Sequence, residues 1–224
     1  MKDYTLSLAL VDFLPVLFSG WGLCFVARWL SAIQPAAKNW VFGSIVFIFA
    51  AGLMKASWKL IVVLTGMNIS FLDAQLFPVM GTGFILLAYA AVVITKDTWP
   101  NGMPILPLVL IAAAFGAGLY LYGQTGDRKW VFVGIASVTL ANLVFSITMI
   151  RYSLKRAMKL PGFLFTLNLV GIFAMSGLAR IENQTLAQQW AAETVNTGAQ
   201  GCLLVAAWLL YKKSNIAKSH ETVS

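Results

Sequence analysis

The chain has 224 residues, of which 59% are hydrophobic and only 11% are charged. A soluble domain usually carries about 25% charged residues, so this chain has too little charge to cover a soluble globule. The composition therefore predicts an integral membrane protein and excludes a soluble enzyme, a disordered chain, a collagen and a disulfide scaffold. The formal net charge of +8 is interpreted as a signal of membrane orientation, with no nucleic-acid partner, because Lys and Arg collect in cytoplasmic loops.

Cysteine and histidine chemistry is sparse. Cys24 and Cys202 lie inside apolar runs and lack the spacing of a disulfide pair or a zinc site. The single histidine, His220, lies in the polar C-terminal tail. These positions exclude a haem held by two buried histidines and a buried Ser-His-Asp triad. No metal site is predicted, and the sequence does not indicate a cofactor.

Apolar runs of about 18 or more residues predict transmembrane helices. The sequence contains seven such runs, which predict an all-α polytopic membrane protein with a single transmembrane domain over residues 1–211. Residues 212–224 are predicted to form a polar cytoplasmic tail. The seven predicted spans cover residues 5–30, 40–66, 72–95, 103–123, 130–151, 161–179 and 187–211.

The distribution of basic residues predicts the orientation of these spans. The side that receives most Lys and Arg is expected to be cytoplasmic, which places the N-terminus outside and the C-terminus inside a plasma or bacterial inner membrane. The basic residues predicted on the inner side are Arg28, Lys38, Lys96, Arg151, Lys155, Arg156, Lys159, Lys212, Lys213 and Lys218. Those on the outer side are Lys2, Arg128, Lys129 and Arg180.

Spans one to three weakly resemble spans five to seven. Residues 25–29 match 148–152, residues 48–55 match 172–180 with one insertion, and residues 83–88 match 201–206. This pattern is compatible with a 3+1+3 parallel repeat, which in transporters places the site between the halves. The alternative is accidental similarity between apolar segments. The signatures of seven-helix sugar transporters and of retinal proteins, a Pro-Gln pair in spans one and five and a mid-span lysine in helix seven, are absent.

Ionisable residues inside predicted spans are the main indication of a site. Such residues are costly in hydrocarbon and usually face a bundle interior or a water-filled cavity. With the N-terminus outside, all of them fall in the outer half of the membrane, which predicts a polar pocket open to the outer side. They are Asp12, Lys55, Lys59, Asp73, Arg180, Glu182 and Glu193.

Span seven carries a polar stripe. Gln189, Glu193, Asn196, Thr197 and Gln200 follow the spacing of one helix face. Because these groups would be unsatisfied in lipid, the stripe is predicted to face other helices or water. It is either a pocket wall or a set of interhelical hydrogen bonds.

Two lysines follow in span two. Lys59 is interpreted as snorkelling to the interface, whereas Lys55 is expected to pair with Asp12 or Glu193 as part of the site or as a structural ion pair. Trp58 is either a pocket wall or a packing residue. Asp73 is expected to cap span three.

Small residues and a proline predict two further local features. Pro78 with Gly81 and Gly83 predicts a kink or weak point in span three, and Ala112 with Gly116 in span four predicts close helix packing.

The predicted binding residues form an outer-half cluster. They are Asp12, Lys55, Trp58, Lys59, Asp73, Gln189, Glu193, Asn196 and Gln200.

Three functions fit this prediction. The first is a small-solute transporter or a small-molecule sensor, with proton coupling through Asp12 or Glu193. The second is a membrane-embedded enzyme acting on a lipid or apolar substrate at the outer leaflet. The third is a structural or assembly subunit. The expected partners are the lipid bilayer, a small-molecule or lipid ligand, and a second copy of the chain.

Overall fold

The computed structural model of the chain describes residues 5–69, 71–72, 75–125, 130–178 and 185–221. Within these residues the regular secondary structure is helical, with no strand. The seven principal helices of this described part are α1 (Leu6–Ile33), α2 (Lys38–Thr65), α3 (Leu76–Thr95), α4 (Ile105–Thr125), α5 (Trp130–Lys155), α6 (Lys159–Leu178) and α7 (Leu186–Glu221). Each coincides with one predicted span, so the all-α, seven-helix fold is confirmed.

Five of these helices, α1 to α5, are long and apolar enough to cross a membrane. A helix is the form that such segments adopt because it satisfies every backbone N–H and C=O group internally in hydrocarbon. The apolar stretch of α6, Lys159–Met175, is shorter, and the first half of α7 carries the polar stripe. The protein is therefore a helical membrane protein, while crossing by α6 and α7 stays a prediction.

A break divides α1 close to its start. The helix consists of two segments, Leu6–Val11 and Phe13–Ile33, with Asp12 at the junction. The cause is Pro15, which has no N–H to donate to the carbonyl of Val11 four residues earlier and whose ring crowds that carbonyl. The sequence analysis did not anticipate this break.

The weak point predicted in span three is not found in the middle of α3. Pro78 is the third residue of that helix, which continues without interruption to Thr95. A proline in the first turn does little harm, because the first N–H groups of a helix have no intrahelical acceptor. The helix assignment thus gives no support to the kink or weak point predicted in span three.

Two inter-helix turns contain non-glycine residues in the left-handed region. Asp97 after α3 has φ 54° and Ala157 after α5 has φ 55°. In both turns a later N–H bonds back to a carbonyl in the last helical turn, from Met158 to Ser153 at 2.9 Å and from Thr98 to Val93 at 3.0 Å. These are Schellman-type helix ends.

The chain divides into two compact units. Unit 1 comprises Met1–Trp29, Ala56–Ile69 and Met149–Ser224, and unit 2 comprises Leu30–Lys55 and Ser70–Thr148. Unit 1 therefore holds most of α1, the end of α2, α6 and α7, whereas unit 2 holds most of α2 and α5 together with α3 and α4. This grouping does not separate spans one to three from spans five to seven. The parallel repeat and the single transmembrane domain stay predictions.

In unit 1 the helices α6 and α7 pack closely. A Cβ placed on Gly171 of α6 would lie 2.5 Å from the Cβ of Ala199 in α7. The buried Asn168 donates its Nδ2–H to the carbonyl of Ala199 at 2.9 Å. Glycine thus lets the two backbones approach, and one side-chain amide joins them.

Aromatic rings join other helices of unit 1. The rings of Trp29 in α1 and Tyr152 in α5 have centroids 4.7 Å apart, and those of Phe25 and Tyr211 in α7 are 5.7 Å apart. The guanidinium of Arg156 lies 4.7 Å from the centre of the Tyr152 ring, which adds a cation–π contact.

In unit 2 glycines again mark the closest helix contacts. A Cβ on Gly83 of α3 would lie 2.7 Å from the carbonyl oxygen of Ser44 in α2, and one on Gly134 of α5 would lie 2.7 Å from the Cβ of Phe77. Ala112 and Gly116 of α4, which the sequence predicted to mark close packing, are exposed. A Cβ on Gly116 meets no atom within 4 Å, so that prediction was wrong within the described part of the chain.

α7 is longer than predicted. Its helix extends to Glu221, beyond the predicted end of span seven at residue 211. Lys is a strong helix former, so the helix continues through Lys212 and Lys213, although their charge ends the apolar run.

Candidate functional site

Three ionisable side chains from three helices meet inside unit 1, and we call them the Asp12 cluster: Asp12, Lys59 and Glu193. The Nζ of Lys59 forms an ion pair with the Oδ2 of Asp12. The Glu193 carboxyl lies beside the Asp12 carboxyl and within electrostatic range of Lys59. Asp12 and Glu193 are each only 6% exposed. The sequence prediction that intramembrane charges converge is thus seen for these three residues.

Local structure explains how each side chain reaches the cluster. Asp12 lies at the break that Pro15 imposes on α1. Lys59 lies near the end of α2, which stops at Thr65 before Gly66 with φ 69°, a left-handed residue that terminates helices. Glu193 lies near the start of α7 on the polar stripe. The site therefore depends on helix ends and a helix break.

The cluster does not balance its own charge. Two carboxylates and one ammonium leave a net negative charge when all three groups are ionised. A hydrogen bond between two carboxyl groups requires a proton on one of them, because an ionised carboxylate only accepts. Two neighbouring carboxyl groups beside one cation can therefore hold one proton between them.

The polar stripe of α7 lies on the covered face of the helix. Gln189 and Glu193 are buried, and the remaining members of the stripe, Asn196, Thr197 and Gln200, are partly buried. The opposite face is exposed and carries mostly small or apolar residues: Ala187, Ala191, Thr194, Gly198, Val205 and Trp208. This burial agrees with the prediction that the stripe faces other helices or water, while its role as a pocket wall stays a prediction.

Two buried oxygens on this stripe have no hydrogen-bond partner within the described residues. They are the Oε1 of Glu193 and the Oγ1 of Thr197, one helical turn apart on α7. A buried polar atom without a partner destabilises the protein by roughly 1–3 kcal/mol. A hydrogen-bond donor that reached these atoms would recover this free energy.

The remaining predicted site residues have different positions. Lys55, which the sequence analysis expected to pair with Asp12 or Glu193, belongs to unit 2, and Lys59 forms the ion pair with Asp12. The interpretation of Lys59 as merely snorkelling was therefore wrong. Trp58 donates its Nε1–H to the Oδ1 of Asn68 at 2.9 Å and so ties the end of α2 to the following segment. Asp73, Arg180 and Glu182 lie outside the described residues.

A cavity of about 320 Å³ lies elsewhere, within unit 2, between α3, α4 and α5. None of the eight predicted site residues that the structure describes lines it. Its walls are mainly apolar, and its polar groups lie chiefly where α3 begins, α4 ends and α5 begins. Representative lining residues are Gln75, Phe77, Gly81, Phe115, Gly118 and Trp130. The predicted polar pocket around Asp12 stays a prediction.

Sequence reasoning missed this cavity and the role of Asn168. The lining positions of α4, residues 111, 114, 115, 118, 119 and 122, follow helical spacing. That pattern does not distinguish a cavity wall from a packed or lipid-facing surface. Asn168 could have been noticed in the sequence as an amide inside an apolar run. Its hydrogen-bond acceptor on α7 could not, because the tertiary packing determines it.

Comparison of the chain with protein-family models, with curated proteins and with solved structures finds no match. Among the described residues, no three His, Cys, Asp or Glu side chains gather as metal ligands would.

Proposed function

We propose that this protein is a proton-coupled transporter of a small polar solute, with the Asp12 cluster as its proton-binding site. The observation that carries the proposal is the buried pair of carboxyl groups, Asp12 and Glu193, beside Lys59. Buried charges in membrane helices are expensive, and in transporters they mark proton and substrate pathways.

The cluster has the chemistry that proton coupling needs. Binding of one proton by Asp12 and Glu193 makes the three groups neutral overall, and its release leaves a net negative charge. The two states differ in their electrostatic free energy inside the protein. A conformational change that exposes the cluster to one side would therefore take up or release a proton.

The free oxygens of the α7 stripe supply the solute contact. The Oε1 of Glu193 and the Oγ1 of Thr197 both accept hydrogen bonds and have no partner within the described residues. A solute with N–H or O–H donors would satisfy both. Because Glu193 also belongs to the carboxyl pair, solute binding and proton binding would share one side chain.

The orientation in this proposal follows the distribution of basic residues. The N-terminus is placed outside and the C-terminus in the cytoplasm of a plasma or bacterial inner membrane. The Asp12 cluster then opens to the outer side. A sensor that binds the same solute without moving it is the alternative, and an enzyme of the outer leaflet or an assembly subunit are the others.

The test is proton movement in vesicles. The full chain is reconstituted into liposomes that contain a pH-sensitive dye, and a panel of amino acids, sugars and polyamines is added outside. We expect one solute class to drive acidification of the lumen. Glu193→Gln and Asp12→Asn should abolish it, and Thr194→Val should not, because Thr194 is exposed and its hydroxyl bonds to its own helix.

The other outcomes overturn the proposal in identifiable ways. A solute that raises the melting temperature of the wild type but not of Glu193→Gln, with no proton movement, would indicate a sensor. If no solute moves protons or stabilises the protein, while both carboxyl variants are simply less stable, the cluster is structural.

A further inference from the structure

The cavity of unit 2 is independent of the Asp12 cluster, and its chemistry is different. It has a volume of about 320 Å³, roughly twice that of an engineered protein cavity that binds a benzene ring. This is near the lower end of the range for ligand pockets. The cavity is therefore large enough for one slender apolar molecule.

The inner part of the cavity offers almost no hydrogen-bonding groups. Two hydroxyl residues line it, Thr82 and Ser137. Thr82 donates to the carbonyl of Pro78 at 3.0 Å, and Ser137 donates to the carbonyl of Val133 at 2.8 Å. Both hydroxyls are thus satisfied by their own helices. The remaining inner wall consists of residues such as Ile85, Ile111 and Phe115, which suits a hydrocarbon.

The remaining polar lining groups lie at one end. Gln75 precedes α3, Tyr122 lies in the last turn of α4 and Trp130 begins α5, and all three line the cavity. Tyr and Trp are typical of the membrane–water interface. The cavity therefore has a polar end suited to a head group and an apolar body.

The length of the cavity fits one leaflet. From Ile111 to Tyr122 the lining covers about 16 Å along α4, at about 1.5 Å per residue. Half of the hydrocarbon core of a bilayer is about 15 Å thick. The three lining helices are among those apolar enough to cross a membrane. The lining residues Phe115 and Leu119 are exposed, so the cavity adjoins the surroundings of α4.

We infer that unit 2 binds one acyl chain of a bilayer lipid in this cavity, with the lipid head group at Gln75, Tyr122 and Trp130. The lipid is a resident ligand from the same leaflet, separate from the solute of the proposed transport. Nothing in this inference depends on the Asp12 cluster, and Glu193→Gln should leave lipid binding unchanged.

Glycines in the lining provide a sharp test. A Cβ on Gly118 meets no atom within 4 Å, so Gly118→Leu places a side chain towards the cavity without a backbone clash. Gly116 lies on the same helix, is exposed, does not line the cavity and also has open space around it. Gly116→Leu is therefore a matched control. Ala114→Phe, which fills the same cavity, is a second variant should Gly118→Leu fold poorly.

The experiment is photolabelling in a bilayer. The full chain is placed in nanodiscs of phosphatidylcholine and phosphatidylglycerol that contain a phosphatidylcholine with a diazirine in one acyl chain. After irradiation, labelled peptides are quantified by mass spectrometry. We expect labelling at Thr82 and Ser137, and Gly118→Leu should reduce it about tenfold relative to labelling at the exposed Val109, since overpacking a filled cavity has a free-energy cost of that order. Gly116→Leu should change nothing.

Each other outcome overturns the inference. Unlabelled Thr82 and Ser137 in the wild type would show a cavity without lipid, and a cross-linked dimer under the same conditions would identify a second copy as the cover. Labelling that survives Gly118→Leu and Ala114→Phe would mean ordinary annular lipid. Loss of labelling on addition of benzyl alcohol, but not of excess unlabelled lipid, would indicate a site for a free aromatic solute.

Discussion

Hydroxyls bond to carbonyls of their own helix in both units, as Thr166 and Thr194 do in unit 1, but unit 1 also has polar side chains that join different helices. In unit 1, polar groups join one helix to another: Lys59 pairs with Asp12, and Asn168 bonds to the carbonyl of Ala199. In unit 2, the hydroxyls of Ser44, Thr82 and Ser137 each donate to a carbonyl of their own helix, at 2.6, 3.0 and 2.8 Å.

Hydroxyl groups and carboxylates differ in how they can be buried in a membrane helix. A hydroxyl bonded to its own helix can lie beside a hydrocarbon chain without an unsatisfied group. A buried carboxylate cannot be satisfied in this way, because it only accepts hydrogen bonds and cannot donate to a carbonyl of its own helix. Both units pack helices at close glycine contacts, such as Gly171 in unit 1 and Gly83 in unit 2, so the ions of unit 1 are an addition to this kind of packing. This comparison supports a functional reading of the Asp12 cluster.

The largest expected effect comes from removing the cation of unit 1. Lys59→Met leaves Asp12 and Glu193 buried beside each other without their ion-pair partner. Breaking a buried ion pair from one side typically costs about 3–5 kcal/mol. We expect a loss of that order in the free energy of unfolding at pH 8, measured by denaturant titration in detergent micelles.

Acid should reduce this loss, because one proton bound by the carboxyl pair removes part of the charge that Lys59 balances. The loss at pH 5 should therefore be smaller than at pH 8. Lys155→Met, which removes an exposed lysine, should have almost no effect at either pH. If Lys59→Met and Lys155→Met lost the same free energy of unfolding, the ion pair of Lys59 with Asp12 would not stabilise unit 1.

The next effect tests packing in unit 2. Gly83→Ala introduces a Cβ 2.6 Å from Ile48 and 2.7 Å from the carbonyl oxygen of Ser44, so the helices must move apart. Overpacking of this kind costs about 1–3 kcal/mol. Gly116→Ala should instead be neutral or stabilising, because its Cβ meets nothing and Ala favours a helix over Gly by roughly 0.5–1 kcal/mol.

Melting temperatures of the two glycine variants, measured side by side, would decide the matter. If Gly83→Ala is as stable as Gly116→Ala, close glycine contacts do not hold unit 2 together.

The smallest effect lies at the end of α5 and should be stabilising. Ala157 has φ 55°, a conformation that disfavours residues with a Cβ. Ala157→Gly relieves this strain and should raise the free energy of unfolding by about 0.5–1 kcal/mol, after allowance for the greater flexibility of glycine in the unfolded chain. Ala112→Gly, in the middle of α4, should lower it by a similar amount. A destabilised Ala157→Gly would mean that the methyl group makes contacts that outweigh the strain.

Much of the fold could be predicted because hydrocarbon imposes it. Long apolar runs have to be helical, so α1 to α5 were found with errors of a few residues at most boundaries. The inward orientation of the α7 stripe was also predictable, since Gln189 and Glu193 would be unsatisfied in lipid. Helix ends were less predictable. α7 continues through Lys212 because lysine favours a helix, although its charge ends the apolar run.

The composition of the site was only partly predictable. The sequence places Asp12, Lys55, Lys59 and Glu193 in helices, but which lysine meets Asp12 depends on how the end of α2 and the break in α1 lie in unit 1. Pro15 was visible in the sequence, although its consequence was not drawn. The cavity of unit 2 depends on how far α4 stands from α3 and α5, which side-chain periodicity does not encode.

The aromatic contacts of unit 1 have a mechanical consequence. Trp29 with Tyr152, and Phe25 with Tyr211, hold α1 against α5 and α7 at one end of the unit. Asp12 lies at the other end of α1, about 26 Å away at about 1.5 Å per residue, directly beside the break. The ring contacts thus hold one end of α1 in place, whereas Asp12 lies near the other end of the helix. A tilt of α1 by a few degrees about these rings would move Asp12 by ångströms relative to Glu193 and so separate the two carboxyl groups.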